Sequence, residues 1–288
     1  MIYSHRAPHN FLGLEAQPQD PKLKVSILPV PYDATTSYKG GTREGPWAII
    51  EASRQVELFD IELKTDASET TSIETLPELD PSSDGPRVVI EQVEMAVKDI
   101  IKRGSFPFML GGDHPMTIGV VRPLKRKHKQ LSVLQIDAHT DLRNTYEGSK
   151  YNHACPMRRL WETGCDVTAV GIRSGTKEDL EFVKKKNAVM YFGNRFDVKG
   201  VLKGLGENVY ITIDLDGFDS SVCPAVGTPE PGGLSWEQVT GLLQEVIKAK
   251  NVVGADVVEL SPIPGQQASD FLAARLVYKI ITYLNQRI

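Results

Sequence analysis

Seven stretches of the chain are apolar almost without interruption: "KVSILPV", "FPFML", "LSVLQID", "DVTAVGI", "AVMYF", "NVYITID" and "VVGADVVEL". Runs that are continuous rather than alternating suit strands covered on both faces. Between them, apolar positions recur at helical spacing in "RVVIEQVEMAVKDIIKRG", "TKEDLEFVKKKN", "SWEQVTGLLQEVIKAKN" and "DFLAARLVYKIITYLNQRI". Strand followed by helix, repeated, predicts an α/β protein whose mainly parallel sheet is sandwiched in a three-layer α/β/α arrangement. No linker-like break interrupts the pattern, so residues 1–288 read as a single domain.

The stretch from Lys64 to Gly85 is polar, acidic and rich in Ser and Thr, and it reads as a surface excursion. Two other Pro/Gly-rich stretches, "YKGGTREGP" and "PAVGTPEPGGLS", follow strands or precede helices. In an open α/β sheet that is where ligands bind, beyond the carboxyl ends of the strands.

Composition narrows the partners. A 41% hydrophobic share in 288 residues is enough for a large core. Lys and Arg number 33 against 37 Asp and Glu, with no long block of one sign, which argues against a nucleic-acid partner. No apolar run approaches the roughly 18 residues of a membrane span. The opening "MIYSHRAPHNFLG" lacks the layout of a secretory leader, so a cytoplasmic protein is expected. The three cysteines, Cys155, Cys165 and Cys223, form no CxxC pair and are expected to pack as reduced thiols.

The chemistry gathers where apolar runs end. "LQIDAHTDLR" turns acidic after Ile136, with Asp137, His139 and Asp141 at alternate positions. On an extended backbone these would share one side. "YITIDLDGFD" offers Asp214 and Asp216 at the same spacing, "FMLGGDHPMTIG" offers Asp113 and His114, and "ADVVELSP" offers Glu259. Asp113 is expected to cap a helix or support a neighbouring group. His114, Asp137, His139, Asp141, Asp214 and Asp216 together make four carboxylates and two imidazoles. Packed beyond a sheet, the carboxylates would repel one another unless cations neutralised them, and two divalent ions match their charge. Oxygen-rich ligands with some imidazole and no thiolate suit two Mn(II), although other divalent metals fit.

These motifs resemble the ureohydrolase family, which includes arginase and agmatinase. The match runs in order through GGDH (Gly111 to His114), DAHTD (Asp137 to Asp141), His153 in "NHACPMRRL", "DLDGFD", "GTPEPGGLS" and Glu259 in "VVELSP". An earlier piece, "SYKGGTREGPWAIIEAS", resembles the family's N-terminal segment. The resemblance implies an arginase-like fold and a pair of manganese ions held by the six residues above. It implies that His153 shuttles protons, that Glu259 receives a guanidinium group, and that Thr228 lines the substrate channel. Catalytic roles would then fall to Asp141, His153 and Glu259, and substrate contacts to Glu259, His153 and Thr228. Trimers or hexamers are usual in the family.

Taken alone, His153 would be a helix-capping or surface histidine and Glu259 half of an ion pair. For substrate, arginases carry polar residues just after DAHTD that bind an amino acid's carboxylate, whereas "LRNTYEGSKYNH" puts Arg143 there and resembles agmatinases. Agmatine, giving putrescine and urea, is therefore expected. Arg143 could instead bind a carboxylate, favouring guanidinobutyrate, or pair with Glu147. Arginine and formiminoglutamate are further candidates, and a metal-stabilised scaffold without turnover is the reading from a different class.

Overall fold

The computed structural model describes residues 9–287. Residues 1–8, the first part of the stretch read as lacking a leader, lie outside them. In chain order the strands are β1 (Leu23–Val30), β2 (Phe59–Asp60), β3 (Thr65–Asp66), β4 (Thr71–Thr75), β5 (Phe106–Gly111), β6 (Leu131–Ile136), β7 (Asp166–Ile172), β8 (Met190–Phe192), β9 (Asn208–Asp214) and β10 (Asn251–Val258). The α-helices are α1 (Gly45–Ser53), α2 (Pro86–Lys102), α3 (Thr117–Lys127), α4 (Pro156–Glu162), α5 (Lys177–Lys186), α6 (Val198–Gly204), α7 (Trp236–Ala249) and α8 (Ala268–Arg287). None of the described helices is long and apolar enough to cross a membrane.

Eight strands form one sheet in the order β4-β1-β5-β10-β9-β6-β7-β8, every neighbouring pair parallel. Helices cover both faces. Val25 and Ile27 of β1, Leu134 of β6 and Ile211 of β9 pack with α1, α7 and α8 through Ile49, Leu243 and Ile280. Met109 of β5, Val133 of β6 and Tyr210 of β9 point the other way, toward Val93 of α2, Val121 of α3 and Leu160 of α4. Successive side chains of one strand thus feed opposite layers, which is why these strands read as unbroken apolar runs.

The helices follow from local chemistry. In α5, Thr176 and Asp179 form a capping box, and Asn187 ends the helix in the left-handed conformation. In α7, Ser235 and Gln238 do the same at the start. Helices α3, α4 and α6 are short, and none presents a long apolar stripe in the sequence. Pro123 also sits inside α3.

Two expectations change. The Lys64–Gly85 segment is not all excursion, because Thr71–Thr75 pairs with β1 as the edge strand β4, burying Thr71 and Ile73. Its alternating burial suits an edge strand with one face toward the core. The first acidic triplet, moreover, does not lie on a strand, since β6 stops at Ile136.

The order of the central strands positions the site. β5 and β6 follow one another in sequence, yet β10 and β9 lie between them. The carboxyl ends of these four strands carry "GGDH", "DAHTD", Glu259 and "DLDG" into one place. Gly112 is required there, since a Cβ on it would lie 2.0 Å from the carbonyl oxygen of Tyr32.

Candidate functional site

His114 opens a 3-10 turn (His114–Met116) just after β5, and its ring is buried. Its Nδ1 lies 2.9 Å from Asp141 Oδ2, 3.3 Å from Asp137 Oδ2 and 3.5 Å from Asp214 Oδ2. Across Asp137, His139 Nδ1 lies 2.8 Å from Asp216 Oδ2 and 3.7 Å from Asp137 Oδ1. Two sets of potential ligand atoms, each within 4.8 Å of one another, result: His114, Asp137 and Asp141, and Asp137, His139 and Asp216. Asp137 belongs to both, one oxygen facing each histidine. Asp214 reaches the first set through His114.

The six residues meet as the sequence predicts, by a different local route. His139 pairs with Ser174 as an isolated bridge, and Asp141 takes a left-handed backbone with φ of 52°. Asp214 is the last residue of β9, and Asp216 lies in a 3-10 turn (Leu215–Gly217) whose backbone N–H donates to Asp214 Oδ1. Gly217 packs against Asp137, where a Cβ would stand 2.9 Å from its backbone nitrogen. Loops rather than strand alternation therefore aim these side chains.

The donor set fits divalent cations. His114 Nδ1 is buried without a hydrogen-bond partner, although three carboxylate oxygens surround it. Burial, with Asp141 and Asp216 close by, pushes the Asp137 carboxyl up to about 7. Burial and Asp216 raise Asp214 well above its ordinary value. Burial opposes charge on His139, but the hydrogen bond to Asp216 overcomes it and lifts the imidazole to about 10. His114 is raised likewise, Asp137, Asp141 and Asp214 outweighing burial. Protons or metal ions would each neutralise carboxylates crowded in this way.

A cleft reaches this cage, lined by Ser37, Tyr38, Lys39, His153, Thr228 and Glu259 among others. Glu259 has a left-handed backbone with φ of 65°, and its Oε1 accepts a 2.7 Å bond from the backbone N–H of His114. Burial, then Asp113 and Asp214, raise its carboxyl well above the usual range. No Lys or Arg among the described residues pairs with it, so the ion-pair alternative does not hold. A half-buried carboxylate with no cation of its own, held in a rare backbone conformation and lining a cleft, is suited to an incoming cation.

His153 is not a helix cap. Its backbone N–H donates to Thr35 Oγ1 at 3.0 Å, and its Nδ1 bonds the carbonyl of Thr35. A carbonyl only accepts, so Nδ1 carries the proton, and Nε2 faces Ser37 Oγ at 3.4 Å. Thr228 Oγ1 sits 3.4 Å from Asp216 Oδ2, at the cage wall. Asp113 makes no side-chain cap bond. Its carboxylate instead accepts from the backbone N–H and hydroxyl of Thr35 and from Thr42, and so braces the loop that holds His153. Arg143 does not pair with Glu147; it lies 4.6 Å over the ring of Tyr146, beside a wider outer cavity of about 220 Å³.

Several contributors escape motif reading. Gln135 bridges Asp137 Oδ2 and the His139 carbonyl. Arg173 donates to the carbonyls of Asp216, Phe218 and Glu230, tying two loops of the site together. Cys223 is fully buried, and burial raises its thiol to about 12, so it packs as an apolar residue, as expected. Gln135 had a legible signal, a polar residue inside an apolar run two places before an acid. Arg173 had none.

A parallel sheet between two helix layers, with a buried cage of carboxylates and imidazoles at its carboxyl edge, defines a class of α/β protein built to hold a pair of cations. The chain belongs to the arginase family, whose model matches residues 23–282. It is 36% identical over 287 residues to an N(1)-aminopropylagmatine ureohydrolase of Synechocystis sp., covering 96% of this chain and 94% of that protein. It is 36% identical over 260 residues to an agmatinase of Pyrococcus horikoshii, covering 88% and 90%. The crystal structure of the agmatine ureohydrolase of Thermoplasma volcanium superposes with a TM-score of 0.83 at 30% identity, over 98% of this chain and 95% of that one.

Proposed function

We propose that this protein hydrolyses the guanidino group of agmatine to putrescine and urea at a centre of two manganese ions. The observation that carries this reading is the pair of ligand sets sharing Asp137, facing a cleft that also holds the Glu259 carboxylate, with which no Lys or Arg among the described residues pairs. His114, Asp137, His139, Asp141, Asp214 and Asp216 would hold the metals. When bound, two such ions lower the pKa of water and supply a nucleophile at neutral pH.

The chain's own groups do the rest. A guanidinium carbon is a poor electrophile, because resonance spreads its charge, so the substrate must be held in place. Glu259 can meet the planar guanidinium with paired hydrogen bonds and set its carbon toward the cage. Asp141 can accept a hydrogen bond from the attacking water and pass its proton to the departing nitrogen. His153, with Nε2 facing the cleft, can carry to solvent the proton given up by the next water, the one that replaces the water consumed. Thr228 lines the path of the alkyl tail.

A second reading concerns the tail. The Synechocystis relative is named for N(1)-aminopropylagmatine, and the outer cavity beside Arg143 and Tyr146 extends the cleft. Hydrolysis with Mn(II), read as urea from agmatine, N(1)-aminopropylagmatine, arginine and guanidinobutyrate and as formamide from formiminoglutamate, tests both. Agmatine with the highest kcat/KM supports the first, the aminopropyl compound the second. Preference for a carboxylate-bearing guanidine points to Arg143 as its anchor, and neither urea nor formamide from any of the five leaves a binding scaffold.

The whole chain is proposed to act as one domain in a cytoplasmic homo-oligomer, a trimer or hexamer. Exposed apolar side chains such as Phe59 and Ile61 supply surface that subunit contacts could cover.

A further inference from the structure

Polar side chains are costly inside a sheet covered on both faces, yet a group of them lies beneath the cage. Asp256 of β10 is the register partner of Thr212 on β9, Tyr210 sits two residues earlier on the same face, and Thr117 begins α3 above them. All four are buried, Asp256 completely. No Lys or Arg among the described residues pairs with Asp256, and three hydroxyl groups surround it. Thr212 Oγ1 donates to its Oδ1 at 2.6 Å, while Thr117 Oγ1 and the Tyr210 hydroxyl donate to its Oδ2 at 2.7 and 2.5 Å.

The same Thr212 oxygen lies 2.9 Å from His114 Nε2. A threonine hydroxyl has one hydrogen, and here it points at the carboxylate, so toward His114 the oxygen can only accept. Nε2 must then carry a proton, which leaves the Nδ1 lone pair of a neutral imidazole free. Nδ1 is the atom that faces Asp141, Asp137 and Asp214. Without the carboxylate, Thr212 could turn its hydrogen onto Nε2, and the proton would move to Nδ1, where it would block coordination.

We propose that Asp256 is a positioning residue for the metal centre: acting through Thr212, it holds His114 as the Nε2–H tautomer and so presents Nδ1 as a ligand. Partners of this kind commonly change metal affinity by roughly 10–100-fold. The inference rests on the two-ion reading given above and deepens it, because the relay touches only one of the two ligand sets. His139 and Asp216 make no contact with Thr212 or Asp256, so the second ion should not feel the change.

Titration of metal-free protein with MnCl2 by calorimetry tests this without recourse to turnover. Wild type should take up two ions. Thr212→Val should weaken one of them by roughly 10–100-fold and leave the other unchanged, Thr212→Ser should restore wild-type binding, and Asp256→Asn should weaken the same ion. Because the two residues act in series, the double variant should bind that ion no more weakly than the worse single variant. Circular dichroism of each metal-free variant identifies any that fail to fold, and the serine and asparagine substitutions change the packing least. Wild-type affinities at both sites in a folded Thr212→Val variant would overturn the relay while leaving the metal centre intact. Wild-type protein that takes up no Mn(II) would instead remove the centre on which the relay rests.

Discussion

Asp137 offers one oxygen toward His114 and the other toward His139, so no other ligand can replace it without parting the two sets. Asp137→Ala should therefore release both ions and cut urea formation by at least the roughly 100-fold that even outer partners of a metal site can cost. Metal content by atomic spectroscopy and a urea assay check it, and a variant retaining two ions would refute the bridging assignment. His153 predicts the opposite split, since it is held by Thr35 rather than by any ligand. His153→Asn should retain both ions and slow turnover by roughly 10²-fold at neutral pH. An unchanged rate would take the proton-shuttle role away from it.

At the scale of elements, α8 is anchored to the small β2–β3 hairpin by charge as well as by packing. Lys279 Nζ lies 2.9 Å from Asp60 Oδ2 and 2.6 Å from Glu62 Oε2, with Lys279 and Asp60 both buried. Burial raises the Asp60 carboxyl, but the Lys279 hydrogen bond and charge outweigh it and leave the pKa below its ordinary value. The unfolded chain then binds the proton more readily than the folded one. The resulting stability is fully present above the ordinary Asp value of about 4 and is lost as pH falls through the lower, folded-state value. Asp60→Asn should cost about 3 kcal/mol at neutral pH, at the low end for a broken buried pair because Glu62 stays beside Lys279. Urea denaturation should show that gap closing in acid. A gap constant from pH 7 to pH 2 would mean that packing, not the ion pair, carries the effect.

Over the whole molecule, the cage joins the ends of β5, β6 and β9, strands drawn from both halves of the chain, so its repulsion is a load on the entire sheet. Metal binding relieves that load and is linked to folding. Ions at about 100 times their Kd stabilise by about 2.7 kcal/mol per site, which at this chain length corresponds to roughly 5–10 °C. Calorimetric melting before and after chelation should show a fall of at least that size, reversed by added Mn(II). Coincident melts after verified metal removal would argue that the carboxylates share protons instead.

Apolar periodicity by itself determined the parallel α/β architecture, because strands buried on both faces must be apolar throughout. The acids and histidines that end those runs identified the six cage residues, whereas the break inside the runs at Thr212 and Asp256 is recognisable only once the strands are paired. Tertiary structure alone decided the rest. Strand order brought β5 next to β10 rather than β6, and loop conformations at Asp141 and Asp216, not the alternation of a strand, turned the side chains inward. Arg173 and the edge strand Thr71–Thr75 were illegible, since their partners lie far along the chain and a one-dimensional pattern carries no distance between them.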